Sequence, residues 1–371
     1  MASTVLIADR IITGDDDIEH GWVQIEGDRI AAVGQGDLPS GHVEVIDGWL
    51  VPGFVDIHVH GGAGSSFSQG DVDAVVAFHR RHGTTTMLAS LVSEPVPNLV
   101  AQLHALRPFV ESGTLAGVHL EGPFLASARC GAHDPAALSA PTTDALDALL
   151  EAGGDIIRMV TLAPELPGAL EAVSRLDDLG IVVALGHSDA DADAAHFAVN
   201  AGASVVTHLF NGMRPWNQRN AGLVDVALLD SRIIGELILD GHHLSDHAAE
   251  LAMRTLDERW IAITDVVSAA GVPDGTFRLG DLEIEARSGV VRVLETGALA
   301  GSTLTMDRAF ARILDQHARS PLEAVRATAT RPAGVLQRRN VGRIQVGATA
   351  DFVHWNDGAL QRVMHRGQWD R

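Results

Sequence analysis

No lysine occurs anywhere in the 371 residues, so all 27 basic side chains are arginine. That absence excludes a Schiff-base lysine, and with it pyridoxal-phosphate chemistry and lysine-dependent aldolases. It equally excludes a carboxylated lysine bridging two metal ions. Cysteine is almost missing as well: Cys130 is alone, which rules out an intrachain disulfide and fits a reducing cytoplasm, where the chain is expected. Cys130 itself reads as an ordinary loop thiol. No apolar run approaches the ~20 residues needed to span a bilayer. The opening stretch MASTVLIADRIITGDDD has neither the basic region nor the long apolar region of a secretory signal. Positive charge is scarce against negative, and the formal net charge of −21 opposes a general nucleic-acid or anionic-membrane surface. An anionic small molecule stays admissible where a cation, arginine and backbone amides gather locally.

Between residues 52 and 330, short apolar runs alternate with longer amphipathic stretches. The strand candidates are 53–60, 84–91, 115–121, 156–163, 181–187, 204–210, 233–240 and 260–265, each rich in β-branched residues and closed by Gly, Pro, Ser or Asp. The segments between them, such as 71–83 and 166–180, carry helical apolar spacing and often end in glycine. Eight strands alternating with helices predict a (β/α)₈ barrel, with an open doubly wound sheet as the alternative. The flanks read as strands joined by Gly and Asp turns, and neither end covers an apolar face alone. This divides the chain into a small β-domain, 1–50 plus 335–371, and a barrel domain, 51–334. A hairpin-like insertion, 277–295, follows the eighth strand.

The motif FVDIHVHGG, 54–62, finishes an apolar run on His58 and His60. Residues two apart on a strand point the same way, so the imidazoles project together. Such a pair is as readily a hydrogen-bonded core feature as a metal grip. The other strand ends decide between them. Strand three ends on Glu121, strand five on His187, strand six on His208 and strand eight on Asp265, and barrel chemistry collects at those ends. Singly, each has an ordinary role: His187 beside a helix cap, Asp265 as a cap, Glu121 as a turn carboxylate. Together, four imidazoles and two carboxylates suit one or two first-row divalent ions, with Glu121 the natural bridge in a chain without lysine. His119 shares the face of Glu121 and is read as a deeper, inward-layer residue. His79, His82, His104, His196 and His317 fall in helical or loop stretches and are expected at the surface.

The segments PGFVDIHVHGG, GVHLEGPFL, LGHSDA, THLFNGM, LDGHHL, ITDVVSAAG and LAGSTLTM resemble, in order and over nearly the whole chain, the signature segments of the N-acetylglucosamine-6-phosphate deacetylases of the amidohydrolase superfamily. HLEGPF and THLFNGM are specific to that branch, whereas HxH is common to the superfamily. The resemblance implies a (β/α)₈ TIM-like barrel with a small β-sandwich domain from both chain ends, usually as a homodimer. It implies hydrolysis of N-acetyl-D-glucosamine 6-phosphate to D-glucosamine 6-phosphate and acetate. Glu121, His187 and His208 match the metal ligands shared across the family, and Asp265 matches its catalytic aspartate. Members that keep HxH bind two ions and others one, so His58 and His60 imply two divalent ions of the zinc, iron or manganese class.

On this reading metal-activated hydroxide attacks the acetamide carbonyl, and Asp265 takes the proton and passes it to the departing amine. The resemblance further implies substrate contacts at Ala132 and His133, the Asn211–Gly212 peptide, Asp240 and His243, and Leu299, Ala300 and Gly301. Arg219 would grip the phosphate from across the dimer interface; without the resemblance it reads as a solvated loop arginine, with Arg214 a competitor. Val266 and Val267 are mild departures beside the aspartate. Two alternatives stay open. One is another superfamily hydrolase, acting on an N-acyl-amino acid or deaminating a ring. The other is a catalytically silent barrel scaffold, against which the complete ligand set stands.

Overall fold

The computed structural model describes residues 3–370; residues 1–2 and 371, assigned above to the small β-domain, lie outside the described residues. Eight strands alternate with helices: β1 (Phe54–Asp56), β2 (Thr84–Leu91), β3 (Gly117–Glu121), β4 (Ile157–Leu162), β5 (Val182–Leu185), β6 (Val205–Val206), β7 (Ile234–Ile238) and β8 (Trp260–Ile263). They form one sheet in sequential order, parallel at every pairing from β2 to β8. Just beyond the strands the first and last meet. Val59 and Val266 form a parallel bridge, the Asp265 N–H donates to the His58 carbonyl at 2.9 Å, and the His60 N–H donates to the Val266 carbonyl at 2.9 Å. This is the (β/α)₈ barrel the alternation predicts.

One compact unit comprises Ile57–Val76 and Met87–Leu304. Most of its strand residues are buried, all of them in β3, because a parallel barrel strand is covered on both faces. Its helices bury one stripe. The helix Ala169–Asp178 turns Ala169, Ala172, Val173 and Leu176 inward, the spacing of a single face. Asp246–Leu256 starts where the Ser245 side chain accepts from the Ala248 N–H, which satisfies one of the first turn's free donors. The insertion after β8 is larger than a hairpin. Gly275–Leu279, Leu282–Arg287, Val290–Val293 and Leu299–Ser302 make a four-stranded antiparallel sheet with its own core around Ile284, Val291 and Val293.

The other unit takes the chain up to Asp56, Ala77–Thr86 and the chain from Thr305 onward. Seven strands drawn from both ends form one sheet, in the order Gln368–Trp369, Ala359–His365, Phe352–Asn356, His42–Pro52, Ser3–Ile12, Asp17–Glu26, Arg29–Gln35. Leu6, Ile11, Val23, Ile46, Phe352 and Met364 share one core cluster.

Two expectations need correction. β1, β5, β6 and β8 stop short of the side chains they were expected to end on; at His187, His208 and Asp265 the backbone takes positive φ, 47°, 30° and 50°, outside the extended region of a strand. His79 and His317 are buried, not superficial. His79 falls on the inward row Val72, Val75, Val76 of the helix Val72–Arg81, so helical spacing carries it inside despite its polarity.

A candidate metal centre in the barrel mouth

Past the end of β1 the chain continues through His58 and His60, whose Nε2 atoms stand 3.2 Å apart. His187, His208 and Asp265 follow β5, β6 and β8, and all three have positive φ, 47°, 30° and 50°. A non-glycine residue there costs of order 1–3 kcal/mol, and in each case the kink lies where the strand gives out. Gly212 is needed for a different reason. With φ +59°, a Cβ there would lie 2.9 Å from His187 Nδ1, too close for any other residue.

Glu121, at the end of β3, sits between two sets of imidazoles. Its Oε1 lies 3.0 Å from His187 Nε2 and 3.0 Å from His208 Nε2. Its Oε2 lies 3.1 Å from His60 Nε2 and 3.5 Å from His58 Nε2. Asp265 Oδ1 closes the second set, 3.2 Å from His60 Nε2 and 3.5 Å from His58 Nε2. All six residues are buried.

The far side of each ring fixes its tautomer. His60 Nδ1 faces the Ser90 carbonyl at 3.2 Å, His187 Nδ1 the Arg129 carbonyl at 2.9 Å, and His208 Nδ1 the Asn211 carbonyl at 3.1 Å. His58 Nδ1 faces a Glu236 carboxylate oxygen at 3.1 Å. A carbonyl only accepts, so each Nδ1 carries a proton and each Nε2 turns its other valence toward the centre. His187 Nε2 and His208 Nε2 are 3.0 Å apart, where two protons would collide and two bare lone pairs would repel. A cation removes that conflict. Ligands about 2.0–2.1 Å from a tetrahedral zinc stand roughly 3.3 Å from one another, close to the separations here. The donor set therefore fits a divalent metal ion.

The electrostatics agree. Burial pushes His60 down, but the hydrogen bonds and charges of Asp265 and Glu121 outweigh it and hold the imidazole at about 9. His58 is likewise raised well above its ordinary value by Glu121 and Asp265 against its burial. Glu121 is driven well below the carboxylate range, its burial overcome by His58, His133 and His187. Such a site is organised to hold positive charge.

His133 lies close enough to serve as a ligand, with Nε2 3.5 Å from Glu121 Oε2. Its chemistry differs, because the Ser93 backbone N–H donates to its Nδ1 at 3.1 Å. The proton is therefore on Nε2, and His133 is a donor. Burial and the neighbouring His187 lower it to about 4, so it stays neutral at physiological pH. His119 occupies the deeper layer expected of it, bonded to Ser90 Oγ at 2.9 Å and Thr161 Oγ1 at 2.8 Å.

Above the centre a pocket is lined by Ala132, His133, Asn211, Gly212, His243, Leu299 and Gly301, together with His60, Glu121, His187, His208 and Asp265. Asp240 stands behind His243, accepting from its Nδ1 at 2.7 Å. Ala300 is buried and Arg219 is exposed, and neither lines the pocket. The sequence reading missed Val92, Gly131, Leu279 and Ala298 in the lining, and Glu236 against His58. For Glu236 a signal existed: a lone carboxylate inside the apolar run IIGELILD, where a parallel strand is otherwise apolar.

The sequence pattern of the amidohydrolase family matches residues 49–369. The N-acetylgalactosamine-6-phosphate deacetylase of Escherichia coli O157:H7 is 34% identical, covering 98% of both chains. The N-acetylglucosamine-6-phosphate deacetylase of Bos taurus is 37% identical over 85% of this chain and 81% of its own. Among solved structures, an Asp-to-Ala variant of the N-acetyl-D-glucosamine-6-phosphate deacetylase of Mycobacterium smegmatis, in complex with N-acetyl-D-glucosamine 6-phosphate, is similar at TM-score 0.96. It is 39% identical, with 100% of this chain and 99% of that one covered.

Proposed function

The chain belongs to the amidohydrolase family, and from that premise we propose that it hydrolyses N-acetyl-D-glucosamine 6-phosphate to D-glucosamine 6-phosphate and acetate. The observation that carries this reading is Glu121, whose two oxygens each face a separate set of Nε2 atoms at the pocket. His58, His60 and Glu121 would hold one divalent ion, and Glu121, His187 and His208 another. An ion held there would supply Lewis acidity and lower the pKa of a water from 15.7 toward ~7.

The chain's own groups do the rest. Asp265 accepts a proton from the attacking water at Oδ1 and returns it to the amine nitrogen as the C–N bond breaks. Its carboxyl stays below the ordinary 3.8, because His58 and His60 outweigh the effect of burial, so it is ready to accept. His133 donates from Nε2 to the acetyl oxygen as negative charge develops. Replacing His133 with alanine is expected to lower kcat by ~10²–10³ while ion content, read by elemental analysis, stays unchanged. An unchanged kcat would remove it from the reaction.

The phosphate falls to the Asn211–Gly212 peptide, His243 held by Asp240, and Arg219 of a second copy, since arginine forks onto phosphate oxygens. A homodimer is supported by Phe197, Leu229 and Leu251, 60%, 77% and 56% exposed, on three consecutive helices. Residues 51–334 form the catalytic barrel in this account, and 1–50 with 335–371 the small β-domain. Among the described residues no helix is long and apolar enough to cross a membrane, and with one cysteine the chain suits the cytoplasm.

A second substrate to test is N-acetylgalactosamine 6-phosphate, on which the 34% identical Escherichia coli relative is named as acting. Acetate release from both phosphorylated sugars and from N-acetylglucosamine itself tests the assignment. Turnover confined to phosphorylated sugars is expected. Arg219→Ala should raise KM for them by ~10–100-fold, as loss of a charged hydrogen bond does, and leave the unphosphorylated sugar unaffected. Equal turnover with and without phosphate would sink the phosphate assignment.

A further inference from the structure

Glu236 lies at the middle of β7, is completely buried, and takes no part in the pocket lining. One of its oxygens, Oε2, does two things. It accepts from His58 Nδ1 at 3.1 Å and from the His208 backbone N–H at 3.2 Å. A single atom thus touches a ligand on each side of Glu121. The other oxygen, Oε1, has no hydrogen-bond partner among the described residues. A buried carboxylate oxygen without a donor is unfavourable, and nothing in local packing calls for a charge there, since a glutamine of the same shape would leave both donors satisfied. What the carboxylate adds over the amide is its negative charge.

We propose that Glu236 is a positioning residue whose charge sets the number of ions the centre holds at two. The inference rests on the metal-dependent reading above. With ions bound, the carboxylates of Glu121, Asp265 and Glu236 count −3, and the four imidazoles, each keeping one proton on Nδ1, count none. Two divalent ions against that set leave +1, a value one deprotonated water would cancel, while a single ion leaves −1. With Glu236 neutralised the set falls to −2, which one divalent ion balances and two overshoot. The hydrogen bond to His58 adds to this. Sharing its Nδ1 proton with a carboxylate, rather than with a carbonyl as the other three do, makes His58 Nε2 the most basic of the four toward an ion. The ion on the His58–His60 side therefore depends on Glu236.

The test loads the purified chain with zinc, dialyses it, and counts bound zinc by elemental analysis, for wild type, Glu236→Gln and Glu236→Asp, with a thermal melt of each to confirm folding. The Gln variant keeps shape and loses charge; the Asp variant keeps charge and loses reach. Wild type is expected to retain two ions, Glu236→Gln one, and Glu236→Asp two. The dissociation constant of the more weakly held ion should rise ~10–100-fold in the Gln variant. A residue needed only for packing would suffer more from Asp than from Gln, so the opposite order of retention overturns the proposal. So does a Gln variant that keeps two ions, or a wild type that holds only one. If the Gln variant does not fold, the Asp variant alone decides: two ions support the proposal and one overturns it. A wild type that holds no ion overturns the metal-dependent reading itself, whereas two ions in both wild type and Glu236→Gln overturn this inference alone.

Discussion

Glu121→Ala is expected to lower kcat/KM by ~10⁴ or more, because one substitution disables both halves of the centre. Oε1 serves His187 and His208, and Oε2 serves His60 and His58. Alanine leaves neither half a carboxylate between its imidazoles. The Lewis-acid contribution at stake is several kcal/mol, and each 1.36 kcal/mol is tenfold in rate. Ion content should fall with activity, to less than one per chain, and the variant should turn over no faster than wild type treated with a chelator. Mutating one imidazole, by contrast, should cost one ion and leave the other side loaded. Should Glu121→Ala retain both ions by elemental analysis, the bridging role assigned to this carboxylate is wrong.

Asp265→Asn separates proton transfer from ion binding. The amide keeps the size of the side chain and an oxygen to face His60, yet it cannot accept a proton from water. A fall in kcat of ~10²–10⁴ is expected, the range for loss of a positioned acid–base group, with KM and ion content little changed. The pH profile supplies an independent reading. Asp265 must be ionised to act, and its carboxyl lies below 3.8 in the fold. Protonation of this group therefore removes activity only as the pH falls below the ordinary range of an aspartate carboxyl, and the Asn variant should show no such limb. A variant that loses ions in step with kcat would instead make Asp265 chiefly a ligand.

Much of this site is legible in the sequence because a parallel barrel imposes two simple rules. Its strands are short apolar runs, and its chemistry lies where they end. His58, His60, Glu121, His187, His208 and Asp265 all follow from those rules before any coordinate is known. The groups that give the histidines their roles do not. The carbonyls of Ser90, Arg129 and Asn211 lock three tautomers, and a backbone carbonyl is the same in every residue, so nothing in the sequence marks it. The Ser93 N–H that makes His133 a donor is hidden in the same way. Glu236 is visible as a charge in an apolar run, but its target lies 178 residues away and only the closure of the barrel brings them together. His79 shows the opposite failure, since polarity argued for the surface while helical spacing argued for the interior, and spacing won. Arg219 is exposed on its own chain, so the part proposed for it would need a second copy that no single sequence can display.

The left-handed backbone at His187, His208 and Asp265 sets heat tolerance against turnover. At those three positions glycine would relax the main chain and, by that measure, make a sturdier barrel. It would also delete the side chains to which the proposed chemistry is assigned. Selection for durability alone would therefore erode this mouth first, at the ends of β5, β6 and β8, while the rest of the barrel improved. An effort to harden the protein should leave these three kinks untouched and look to the outer helices instead.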